Sequence, residues 1–84
     1  MGLYCITYDL VNDRNYDKIR VVLENFENNF HALGSVWFIE TEKKAEEIRD
    51  ELEEATDKDD KIFVVQIRKH WGTINIKGIP DWLR

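Results

Sequence analysis

A single cysteine, Cys5, and no apolar run approaching membrane length are the first things missing from this chain of 84 residues. One cysteine excludes an internal disulfide framework and fits a reducing compartment. Its place in the middle of an apolar stretch suits a small buried hydrophobe. A bilayer span needs roughly 20 consecutive apolar residues, and none is present. No signal peptide precedes the first apolar segment, so the expectation is a cytoplasmic protein with no membrane partner. Glycine-rich nucleotide loops, paired Cys/His zinc spacings and nucleophilic triads are absent as well, which removes the commonest cofactor classes.

What is present is enough for one small domain spanning 1–84, with 69–84 as a C-terminal extension over the sheet or a partner subunit. The chain is 43% hydrophobic and 12% aromatic, which supports a globular core. A domain this short buries only about 60% of its unfolded surface, so self-association would help to stabilise it. The net charge of −5 is uneven. Residues 40–60 hold eleven carboxylates against four basic groups, a net −7, so the remainder sums to +2. Overall acidity disfavours strong nucleic-acid binding, which depends on phosphate neutralisation. The acidity nevertheless belongs to one element, and a solvated helix face accounts for it.

Leu3 to Leu10 is rich in β-branched and aromatic residues and lacks Gly and Pro, the composition of a strand. Tyr4, Ile6, Tyr8 and Leu10 share one face, Leu3 and Cys5 the other, so the strand belongs inside a sheet. Asp9 stands at its far end, before the polar loop Asn12-Asp13-Arg14-Asn15. Asp13 or Asn15 is a suitable N-cap for a first helix near 15–28, with Ile19, Val22, Leu23, Phe26 and Phe30 at helical spacing. Residues 30–41 read as extended. Gly34 allows either a bulge in one long strand or the tight turn of two paired strands. Thr41 can cap a second helix whose apolar stripe is Ala45, Ile48, Leu52 and Ala55. Lys61 to Arg68 is apolar on both faces, the pattern of a central strand. Thr73 to Lys77 alternates like a short edge strand, Gly78-Ile79-Pro80 signals a turn, and Asp81 to Arg84 suits one helical turn. If residues 30–41 form a hairpin, the order predicts an α+β fold, a ferredoxin-like sandwich with two helices on one face of an antiparallel sheet. The other face would then be apolar and uncovered, a natural homodimer surface.

Three segments carry a resemblance: Ile6-Thr7-Tyr8-Asp9-Leu10 with Asn12-Asp13-Arg14, then Ser35-Val36-Trp37, then Asp60-Lys61-Ile62-Phe63-Val64. In order, over nearly the whole chain, they resemble the CRISPR-associated Cas-two adaptation proteins and, more distantly, the virulence-associated protein D RNases. The spacing of His31, Leu33, Ser35 and Trp37, with Trp71-Gly72, is most similar to the SinR-like relatives of that group. The resemblance implies a ferredoxin-like homodimer, in some members a metal-dependent endonuclease on RNA or DNA. It implies Asp9 as the metal-binding and catalytic carboxylate, with Tyr8 beside it, and Arg14, Ser35 and Trp37 as substrate contacts. Mg²⁺ or another divalent cation, bridged by two copies of Asp9, would activate water and neutralise a scissile phosphate. This sequence has one arginine in the first loop, and Ala32, Leu33 and Gly34 rather than arginine before Ser35.

Other assignments stand beside these. Asp9 equally suits a cap on the first loop or helix, and His31 and His70 suit structural histidines. Arg68 and Lys69, with His70 and Trp71, make either a basic-aromatic substrate patch or an ordinary polar strand exit. A non-catalytic dimer using its acidic helix to bind a basic protein partner is the alternative function.

Overall fold

The computed structural model describes residues 1–84 as four strands, two helices and a closing 3₁₀ turn. Strand β1 (Gly2–Asp9) leads into helix α1 (Asp13–Glu24), followed by β2 (Asn28–Leu33) and β3 (Val36–Thr41). Helix α2 (Ala45–Glu53), strand β4 (Lys61–Ile67) and the turn Asp81–Leu83 complete the chain. Every strand pair is antiparallel, in the order β2-β3-β1-β4. With both helices on one face, this is the ferredoxin-like α+β arrangement.

One alternating set builds the core. Tyr4, Ile6 and Tyr8 of β1 and Trp37 and Ile39 of β3 lie in one cluster with Ile19, Leu23, Ile48 and Leu52 of the helices. Ile6, Ile19, Leu23, Ile39, Ile48 and Leu52 are completely buried, each worth about 1.5–3 kcal/mol relative to exposure. The narrow stripes on the two helices are therefore sufficient to clamp both onto the sheet.

The first helix begins and ends earlier than its apolar spacing predicts. Asn12 is the cap, its side chain accepting from the Arg14 amide at 3.0 Å. Phe26 stays in the core beyond the helix end, but Phe30 belongs to β2. Asn28 and Asn29 start that strand, where Asn28 Nδ2 donates to Glu40 Oε1 on β3 at 2.8 Å. Residues 30–41 are two strands, with Gly34 and Ser35 in the turn and a register shift between His31 and Leu33. The second helix starts after Lys44, whose amide donates to Glu47 Oε1 at 2.9 Å. Thr41 instead accepts from the Lys43 amide in the approach.

Two strand expectations are corrected. β4 is an edge strand, not a central one. Its second apolar face is uncovered, leaving Phe63 64% and Val65 41% exposed. Residues 73–77 form no strand, because Asn75 takes φ 61° and Gly78 φ 74°, turning the chain twice.

The tail lies against the far half of the open face. Leu83 is buried, and the Trp71 indole donates to its carbonyl at 3.2 Å. A cavity of about 370 Å³ is lined by Phe30, Val36 and Phe38 of the sheet and by Trp71, Ile76 and Leu83 of the tail, among others. On the β1–β4 half of the same face Leu3 is buried, but toward Asp9 there is no such cover.

Candidate functional site

Strand direction decides which predicted residues can meet. β1 runs toward Asp9, and its partners deliver their own ends to the same place. The Tyr8 amide donates to the Ser35 carbonyl at 3.3 Å, and Asp9 lies opposite Lys61 in the ladder. Asp9, Ser35 and the start of α1 with Arg14 thus share one end of the sheet. Arg68 and Lys69 follow β4 at the opposite end, beyond the rung joining Leu3 and Ile67. Six residues of strand separate those ends, about 20 Å. The two basic residues do not join Asp9 within one protomer.

Tyr8 and Trp37 are buried under the helices rather than presented at the surface. The Trp37 Nε1–H donates to the Tyr8 hydroxyl at 3.0 Å, and Tyr16 packs against Tyr8 with ring centroids 5.8 Å apart. Burial pushes the Tyr8 phenol above its ordinary pKa; the Trp37 bond opposes that shift and Tyr16 adds to it. A neutral, hydrogen-bonded tyrosine in the core does not reach outward. His31 stacks on Trp37 at 4.1 Å with planes 7° apart, and its Nε2 lies 3.1 Å from the Gly34 carbonyl oxygen. That geometry is structural. His70 is exposed beyond β4.

Asp9 itself is exposed, and its carboxylate accepts no hydrogen bond and joins none of the ion pairs in the chain. The capping work open to it falls to neighbours. Asn12 caps α1, and Asp60 binds the loop: its Oδ1 accepts from the Val11 amide at 2.7 Å, its Oδ2 from Asn15 Nδ2 at 2.8 Å and the Asp57 amide at 2.7 Å. These bonds hold the Asp60 carboxyl below the usual carboxylate pKa, the Asp57 amide contributing most. Asp9 is therefore not the cap of the first helix, and its carboxylate is left open to solvent.

Around Asp9 lies an open hollow of about 250 Å³, lined by Thr7, Tyr8, Lys61, Ile62 and Phe63. Arg14 is exposed on the first turn of α1, with Nε 3.5 Å from Asn12 Oδ1. No group of three or more His, Cys, Asp or Glu side chains converges anywhere. Magnesium takes oxygen ligands and tolerates several waters, but one carboxylate facing a lysine does not make a magnesium site. One protomer alone does not fit the ion.

Lys61 and Asp60 stand in one of the three segments that carry the resemblance, but the sequence assigns neither of them a role. Lys61 reads as the first residue of a strand and Asp60 as part of a charged loop. Only their pairing with Asp9 and Val11, about fifty positions away, reveals them. Compared with known families, residues 1–73 match the model for CRISPR associated protein Cas2. No curated protein sequence matches the chain.

Proposed function

The chain belongs to the CRISPR-associated Cas2 family, and on that premise we propose that it acts on or with nucleic acid as a homodimer, with Asp9 as its functional carboxylate. The observation carrying this is the unpartnered Asp9 side chain, exposed at the end of an otherwise interior strand. The reaction it would serve is phosphodiester hydrolysis of RNA or DNA. Dimerisation is supported by the bare β1–β4 half of the open face, where Phe63 and Val65 stand beside the unpaired edge of β4. A divalent cation belongs to this proposal only if two Asp9 carboxylates meet across a two-fold axis. The His31, Leu33, Ser35, Trp37 spacing and Trp71-Gly72 support a SinR-like relationship within the family.

The test is a nuclease assay on labelled RNA and duplex DNA, with Mg²⁺ and with chelator, comparing wild type with Asp9→Asn. Cleavage is expected to require the cation and to fall by at least about a hundredfold in the variant, the scale of losing one catalytic group. Because Asp9 has no intrachain partner, its thermal midpoint should stay put. Equal cleavage by both proteins would remove the catalytic role.

A second proposal has its own observation: the net −7 of residues 40–60, much of it on α2. In that account the dimer binds a basic protein through electrostatic complementarity and cleaves nothing. Chelator-sensitive cleavage at nanomolar enzyme would overturn it.

A further inference from the structure

We propose that Lys61 is the phosphate-contacting cation of the Asp9 site, and that Asp60 is the positioning residue holding Lys61 and Asp9 on one rung. This inference rests on the nucleic-acid function proposed above and adds residues to it.

Four observations on the structure support it. Asp9 and Lys61 are directly opposed across an antiparallel pair, so both side chains leave the same face with their Cβ atoms about 5 Å apart. That face is the open one, and both residues are exposed. Lys61 takes part in none of the four ion pairs, which occupy Arg20, Lys43 and Arg49 instead. Its ammonium is free to meet an anion. Beside it, Thr7 and the exposed Phe63, the next pair on the same face of the ladder, help to line the hollow. A lysine here works against a divalent cation resting on a lone Asp9. It suits a phosphate oxygen, as a point-charge donor on a flexible stem.

Asp60 fixes the two strand ends that form the rung. It is the residue just before Lys61, and through Val11 it grips the chain two residues beyond Asp9. Through Asn15, buried to 2% exposure, it also anchors the first turn of α1. Strand ends otherwise fray. The two bonds that the carboxylate accepts from Val11 and Asn15 hold this end of the β1–β4 ladder closed, while the Asp57 amide fixes the carboxylate within its own loop.

The experiment measures binding of fluorescein-labelled single-stranded RNA, single-stranded DNA and duplex DNA by anisotropy, between 50 and 200 mM salt, using the full chain. Lys61→Ala is expected to weaken binding about three- to tenfold regardless of base sequence and to make the logarithmic salt slope shallower by about one. Lys61→Arg should restore both. Asp60→Asn should weaken binding in the wild-type background but add nothing to Lys61→Ala, as expected of a residue acting through another. Wild-type binding with an unchanged affinity and slope in Lys61→Ala would overturn this inference alone. No binding by wild type would overturn it together with the nucleic-acid function. Additive losses for Asp60→Asn and Lys61→Ala would overturn the positioning role.

Discussion

Both faces of strand β1 carry apolar residues, but they end up in different conditions. On the helix side, Tyr4, Ile6 and Tyr8 are buried in one cluster with α1 and α2. On the other, Leu3 is covered, Cys5 and Thr7 are half-buried, and the series ends at exposed Asp9. Burial raises the Cys5 thiol pKa, so that residue behaves as packing rather than as a nucleophile. The difference is one of cover. Helices close the β1–β3 centre of one face, whereas the tail lies only over the β2–β3 half of the other. Stability is concentrated where cover is complete, and the candidate site and interface lie where it is missing.

The largest effect should come from breaking the closed face. Leu23 is completely buried against the sheet, and Leu23→Ala should cost about 2–5 kcal/mol, lost transfer energy plus a cavity. Urea denaturation measures it. Val65→Ala on the open face should change the monomer's stability by well under 1 kcal/mol, because that side chain is already partly in water. If the two variants lost equal stability, the open face would be buried in solution, and the loss would then depend on protein concentration.

A smaller effect tests the polar link inside the closed face. Trp37→Phe keeps an aromatic ring but leaves the Tyr8 hydroxyl without its donor. The expected cost is about 1–3 kcal/mol, the penalty for an unsatisfied buried group together with the lost ring volume. Tyr8→Phe should repair part of this in the double variant, since it removes the stranded hydroxyl. A double-mutant cycle by urea denaturation checks the coupling, and strict additivity would mean that the bond contributes nothing.

The closed face was legible in the sequence because it rests on local periodicity. Ile19 and Leu23, Ile48 and Leu52, and the alternation from Tyr4 to Leu10 each announce a buried stripe without knowledge of neighbours. The order of elements then gave the ferredoxin-like arrangement. The open face was legible only in part. β4 looks central because apolar residues on both faces say nothing about which face is covered. Residues 73–77 alternate like a strand, yet Asn75 and Gly78 adopt positive φ and the segment pairs with nothing. For the candidate site, strand-end position identified Asp9, but Tyr8 and Trp37 proved to be core and Arg68 and Lys69 lie at the other end of the sheet. Asp60 and Lys61 lie in a segment that the resemblance already marked, but their link to Asp9 and Val11 comes from pairing between distant segments, which no local pattern encodes.

The smallest effect lies where the two faces meet, at Asp60. Its carboxyl has a folded pKa below the ordinary value of 3.8, because the charged form accepts from Asp57, Val11 and Asn15. A carboxyl depressed on folding adds stability that is fully present above its unfolded pKa and is lost as pH falls through the folded one. Wild type should therefore exceed Asp60→Asn in urea midpoint at pH 7, with the gap closing as pH drops below about 4. The other carboxylates titrate in both proteins and cancel in the difference. The group is at the surface, so the gap at neutral pH should be modest and should persist in high salt, being made of short hydrogen bonds rather than long-range charge. A gap that stayed constant down to pH 2.5 would mean that Asp60 acts by shape alone. A gap that vanished in salt would instead assign its effect to the surrounding field of charge.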